Sequence, residues 1–171
     1  MSHFPSSFEG VKIIITLDGE PRGKGRPRSR IVFPRDERKQ PFVHIYADPK
    51  TVAYENALAW AAKAAMRSAK PLAGPLDVTV TAFMGVPPSW TQKRRDDALA
   101  GVIRPTGKPD YDNIGKVVDA LNGLVWHDDA QIVDARIRKL YDERPRLVIE
   151  VEECAMPLMA VRRKPLSKYH S

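Results

Sequence analysis

Asp110 and Asp112 stand two residues apart, Lys116 follows four positions later, and an Asp128-Asp129 pair closes a helix-length interval. Carboxylate oxygens in this number, with no clustered cysteine or paired histidine, are donors for a hard cation such as Mg²⁺, or Mn²⁺ in its place, rather than for zinc. Such an ion polarises a phosphoryl oxygen, generates a hydroxide nucleophile and stabilises the leaving alkoxide. Lys116 adds a positive charge suited to an anionic transition state or to orienting the attacking water. The surroundings are basic, with 28 Lys and Arg against 21 Asp and Glu and a formal charge of +7. Acids concentrated in one segment of a basic chain suggest a metal site directed at a polyanion, chiefly nucleic acid.

Local geometry decides whether the acids converge. Residues two apart on a helix point about 200° away from each other, whereas in extended chain they share a face. Pro109 biases Lys108 toward extended backbone. The spacing therefore predicts Asp112 as N-cap of a helix over Asn113–Val125, with Asp110 in the extended segment leading into it. Both carboxylates would face the helix N-terminus, where free amides favour a phosphate. Down the helix, Asp112, Lys116 and Asp119 form a polar line opposite the stripe of Ile114, Val117, Val118, Leu121 and Val125. An antiparallel return of the chain can bring Asp128 or Asp129 back beside Asp110. Structural roles remain open to the same residues. Asp112 can be a cap that pairs with Lys116 at i,i+4, worth a few tenths of about 1 kcal/mol, and Asp128-Asp129 can be a solvated turn.

Basic residues flank this segment. Pro21–Arg30 reads PRGKGRPRSR and offers Arg22, Lys24, Arg26, Arg28 and Arg30 on a loop dictated by two glycines and two prolines. Its Gly-x-Gly is no dinucleotide fingerprint, because the third glycine is absent and Pro27 interrupts the helix that would follow. Lys93, Arg94 and Arg95, with Arg104 and Lys108, add charge near the acids and are candidate phosphate contacts. Arg136, Arg138 and Arg162–Lys164 read as ordinary solvated charge. The three tryptophans, Trp60, Trp90 and Trp126, are expected in the core or a dimer interface rather than as base-stacking platforms.

These groups need a scaffold, and 171 residues with a 43% apolar share suit one domain. Val11–Asp18 is a β-branched strand. Ile31–Phe33 and Phe42–Tyr46 form a hairpin. Asp48 caps a helix that begins at Pro49 and runs to about Ser68, with Leu58, Ala61, Ala62, Ala65 and Met66 on one side. Leu76–Val86 alternates as a strand, and Ser89 caps a short basic helix. Ala130–Tyr141 and Arg146–Glu152 are strands joined through Asp-Glu-Arg-Pro as a tight antiparallel hairpin. The predicted class is α+β, a small mixed sheet packed with two main helices. The domain is expected over residues 1–156, with a basic, disordered tail over 157–171. A single cysteine, Cys154, excludes an internal disulfide framework. The sequence contains no apolar run of roughly 20 residues and no hydrophobic leader, so a cytoplasmic protein without membrane contact is expected.

The acidic segment resembles the signature of the RusA family of Holliday-junction resolvases, which is common in prophages. In that family an Asp-x-Asp-Asn-x-x-Lys element opens a helix, followed by Asp-Ala-Leu-Asn-Gly and Asp-Asp-x-Gln-Ile/Val elements. Here these stand as Asp110–Asn113 with Lys116, then Asp119–Gly123, then Asp128–Ile132. The resemblance implies a homodimeric endonuclease that binds four-way junction DNA and makes paired symmetric nicks with Mg²⁺, in the cytoplasm of a bacterial host, in recombination and repair. It implies Asp110, Asp112 and Asp129 as metal ligands, Lys116 as the essential basic residue, and lesser places for Asp128 and Asp119. It implies no organic cofactor. It also strengthens the DNA-contact reading of the Gly-Lys-Gly-Arg-Pro-Arg run. Two competing classes remain, a non-catalytic basic DNA-binding protein and a general metal-dependent flap or single-strand nuclease.

Overall fold

The computed structural model describes residues 11–36 and 38–154. The predicted tail over 157–171 lies outside the described residues. The apolar alternation of Lys12–Asp18 makes strand β1, burying Ile13 and Ile15. Leu76–Gly85 makes β4, burying Leu76, Val78, Val80 and Ala82, and Arg146–Glu153 makes β6, burying Leu147, Ile149 and Val151. Ile132–Asp142 is β5. The sheet order is β1-β6-β4-β5, with β6 antiparallel to both neighbours and β4 parallel to β5. The apolar residues of β1, β4 and β6 share one face, where each buried aliphatic side chain contributes roughly 1.5–3 kcal/mol. The opposite face carries charge, including Lys12 Nζ at 2.8 Å from Glu152.

Helix α1 (Pro49–Met66) covers the apolar face through Leu58, Ala62 and Met66. Pro49 occupies the first turn and Asp48 the N-cap position, as the sequence predicts, although the Asp48 side chain makes no capping bond. The Asp48 carboxylate instead meets the Arg28 guanidinium at 2.5 Å. Ala61 is half-buried, and Ala65 is exposed rather than part of the stripe.

The second main helix differs from expectation. Helix α3 spans only Tyr111–Gly115, and a 3-10 segment over Lys116–Leu121 continues it. The apolar spacing survives, with Ile114, Val117, Leu121 and Val125 buried. Close packing marks the junction of the two windings. A Cβ on Gly115 would lie 2.8 Å from Ile137 Cδ1 of β5, so the backbone here runs almost against the sheet. Gly123, at φ +75°, then turns the chain so that the Trp126 indole reaches Asn122 Oδ1 at 2.5 Å. Trp126 is 0% exposed and fills the core as predicted, Trp90 packs edge-on to Tyr141, and Trp60 is 71% exposed and so lies outside the core of one chain.

The predicted closing hairpin is also corrected. Strands β5 and β6 do run in opposite directions, but β4 lies between them, so Asp-Glu-Arg-Pro bridges over the end of β4. The small helix α2 occupies Gln92–Leu99 with Thr91, not Ser89, at its N-cap position. Strand β2 (Arg28–Val32) starts three residues earlier than expected and pairs with β3 (Phe42–Tyr46) as a separate two-stranded ribbon. That pairing takes Arg28 and Arg30 out of the basic loop. No helix among the described residues is long and apolar enough to cross a membrane.

Candidate active site

Asp110, not Asp112, is the N-cap residue of α3, and its backbone carbonyl accepts from Ile114 N at 3.1 Å. Its side chain makes no capping bond, so the carboxylate is left facing outward. Asp112 falls in the first turn and meets Lys116 Nζ at 3.1 Å. That hydrogen bond from Lys116 is the main reason the Asp112 carboxyl is held below its ordinary value of 3.8. Both groups are about half exposed, so the pair itself adds little stability. With five α-helical residues before the 3-10 turn, the helix is too short to make its N-terminus an anion site by itself. The loop ahead of α3 is fixed to the sheet by Lys139, whose ammonium donates to the Pro109 carbonyl at 2.9 Å and also to the Gly107 carbonyl.

The basic loop lies against this turn. A groove of about 720 Å³ is lined by Arg22, Lys24, Arg26 and Lys108 together with Asp110, with Met84 among its apolar wall residues. The glycines explain how the loop gets so close. A Cβ on Gly23 would sit 2.7 Å from Asn113 Cβ, and one on Gly25 would sit 2.8 Å from Thr51 Oγ1. Lys24 N donates to the Asn113 carbonyl at 2.8 Å, and Gly25 N donates to Thr51 Oγ1 at 3.0 Å. The Lys24 ammonium is held between Asp119 at 3.1 Å and Glu55 at 3.4 Å. These contacts, led by the hydrogen bond to Asp119, raise the Lys24 pKa above 10.5. Lys24 and Asp119 are therefore joined to each other. Of the residues that seat the loop, Asn113 belongs to the acidic motif, whereas Glu55 and Thr51 were not singled out in the sequence. Their signal was a threonine and a glutamate four apart on the buried side of α1, where an apolar stripe should carry neither.

The Asp128-Asp129 pair divides into two roles. Asp128 Oδ1 accepts from Ala130 N at 2.8 Å, while Gln131 Oε1 accepts from His127 N and Asp128 N, forming a capping box around a 3-10 turn over Asp129–Gln131. Gln131 Nε2 fastens this turn to the Leu72 and Gly74 carbonyls, both at 3.0 Å. Asp128 thus has the structural job considered for the pair, and Asp129 is left exposed. The turn immediately precedes Ile132, the first residue of β5, whereas Asp110 follows the loop tied to Lys139. Lys139 lies seven positions along the strand from Ile132, about 23 Å at roughly 3.3 Å per residue. One chain accordingly pairs Asp112 with Lys116 two residues after Asp110 and sets the Asp129 turn at the opposite end of β5 from Lys139. Among the described residues of a single chain, no three His, Cys, Asp or Glu side chains form a metal-binding group.

The residues of α2 stand apart from the groove. Arg94 lies 4.0 Å above the Trp90 ring, Arg95 lines a neighbouring depression with Glu20 and Glu143, and none of Lys93, Arg94 and Arg95 lines the groove.

Beside these exposed carboxylates and the two arginines of the groove stands a family match: the chain belongs to a family of endodeoxyribonucleases. The family model described as Endodeoxyribonuclease RusA matches residues 18–152. The chain is also similar to a protein of Bacillus subtilis (strain 168), the uncharacterized protein YqaN, with 35% identity over 144 residues that span 82% of this chain and 96% of that one.

Proposed function

We propose that this chain is a Mg²⁺-dependent, homodimeric endonuclease that resolves Holliday junctions by paired symmetric nicks in DNA recombination and repair. The carrying observation is the placement of Asp110 in a groove walled by Arg22, Arg26 and Lys108, two residues ahead of Asp112, which is paired with Lys116 at 3.1 Å. The arginines and Lys108 neutralise the phosphates of a strand laid in the groove, giving a steep salt dependence of binding. Lys116 holds Asp112 ionised and supplies positive charge where the phosphoryl oxygens become more negative. Asp110, Asp112 and Asp129 are all-oxygen donors that suit Mg²⁺, which supplies hydroxide at neutral pH and polarises the phosphoryl group.

Two copies are needed on two grounds. A two-fold junction takes two matched cuts, and each chain carries one set of acids. The distance between Asp110 and Asp129 within one chain also favours ligands drawn from both subunits. Strand β5 is an edge of the sheet, and its Val133–Arg136 stretch is exposed, with Val133 at 65%. Exposed strand edges pair with other strands. Antiparallel pairing of two β5 strands about Ala135 and Arg136 sets the Ile132 end of one beside the Lys139 end of the other. That arrangement carries Asp129 of the partner subunit toward Asp110 and Asp112.

Cleavage of a labelled four-way junction with Mg²⁺ and with EDTA, beside a flap and a plain duplex, tests the activity. Asp112→Asn is expected to abolish cleavage and leave junction binding intact. Mixing Asp112→Asn subunits with Asp129→Asn subunits tests the shared site. If the ligands come from two chains, each mixed dimer keeps one complete site and nicks one strand. Mixed dimers that stay inactive place all the ligands in one chain. Junction cleavage no faster than flap cleavage would favour the general nuclease instead.

A further inference from the structure

The β2–β3 ribbon exposes nine of its ten residues and takes no part in the main sheet. A lone two-stranded ribbon is marginal in water, so its surface has work to do elsewhere. The register sorts its side chains. Arg28 lies opposite Tyr46, Arg30 opposite His44, and Val32 opposite Phe42, which places these six on one face. On that face the Arg30 guanidinium stands 6.0 Å from the Tyr46 ring centroid, the His44 and Tyr46 rings are 5.9 Å apart, and Phe42 is 53% exposed. Cations interleaved with exposed aromatic rings fit a strand whose bases are unstacked, with phosphates on the former and bases on the latter. Charge points the same way, because residues 28–46 hold five Lys and Arg against Asp36 and Glu37. The ribbon grows directly out of the arginine wall of the groove, and Arg28 anchors its root to Asp48 at the start of α1.

We infer that the Arg28–Tyr46 face of this ribbon is a nucleic-acid arm that binds unstacked nucleobases of the strand leaving the groove. This inference rests on the nuclease reading and gives it a source of discrimination. A continuous duplex buries its base faces, whereas a branch point or a single strand presents them.

The test uses the full-length Phe42→Ala/Tyr46→Ala variant, with fluorescence anisotropy on a four-way junction, a single-stranded oligonucleotide and a duplex. A second readout is 2-aminopurine placed at the branch point. The variant is expected to bind junction and single strand about tenfold or more weakly, to keep duplex affinity within about twofold, and to lose the 2-aminopurine response. Its melting temperature should match wild type, because the ribbon lies outside the core. An unchanged junction-to-duplex preference overturns the inference, as does an equal loss on all three DNAs. A fall from dimer to monomer in light scattering also overturns it, by assigning the ribbon to a second copy of the chain. Wild-type protein that never cleaves with Mg²⁺ defeats the nuclease reading. Wild type that cleaves, beside a variant that keeps its preference, defeats only the arm.

Discussion

Lys24 Nζ lies 3.1 Å from Asp119 Oδ2, across 95 positions of sequence, and Glu55 completes the arrangement from α1. Lys24, one of the candidate phosphate contacts, latches the loop that carries Arg22 and Arg26. Glu55→Gln separates the two roles by sign. Removing an acid from a basic protein should tighten DNA binding if only charge matters. The latch predicts the reverse, about three- to tenfold weaker binding as Arg22 and Arg26 lose their placement. Anisotropy titrations at several salt concentrations decide between them, and Lys24→Arg should retain most of the wild-type affinity.

Gly23 is predicted to be intolerant of even a methyl group. The Cβ of Gly23→Ala would meet Asn113 Cβ at 2.7 Å, and such overpacking costs about 1–3 kcal/mol or displaces the loop. Urea unfolding should register the loss if the loop stays put. Trypsin cleavage after Arg22 and Lys24 should accelerate if it moves.

The acid limb of stability should involve Asp142. The Arg146 guanidinium, and then the Arg144 amide, hold its carboxyl below 3.8. A carboxylate lowered on folding stabilises above its unfolded value, and that contribution disappears as pH falls through the folded value. Asp142→Asn should therefore be less stable than wild type above about pH 4 and should converge with it in stronger acid. Urea midpoints from about pH 2 to 7 read this directly.

Trp126→Ala should be the most damaging single change in the crossover segment, at about 3–5 kcal/mol. The side chain is fully buried and its indole N–H is bonded to Asn122. Trp126→Phe keeps much of the volume and abandons only that bond, so its loss should be well under half as large. Chemical denaturation of both variants checks the ratio.

Element types were largely legible in the sequence, while their neighbours were not. Alternation at Ile13 and Ile15, and again along Leu76–Ala82, marked strands because one face is buried. The turn residues between β5 and β6 correctly signalled a reversal. A local turn cannot say whether two strands pair directly or flank a third, and β4 occupies that place. Ile114, Val117, Leu121 and Val125 revealed a buried face, yet the same spacing fits a 3-10 winding once Gly115 lets the backbone press on Ile137. Of the acidic motif, the pairing of Asp112 with Lys116 was readable from a four-residue spacing. The division of labour between Asp128 and Asp129 was not, because it depends on Gln131 reaching Leu72 and Gly74 from 59 and 57 positions away.

Strands β4 and β5 point the same way, and that has a consequence for evolution. Chain leaving the top of one parallel strand must travel the whole height of the sheet before it can start the next. The signature acids are strung along that journey, so their separation follows from topology and no point substitution can close it. If the proposed shared site holds, a lineage that wanted a solitary enzyme would have to rewire its strand connections rather than exchange single residues.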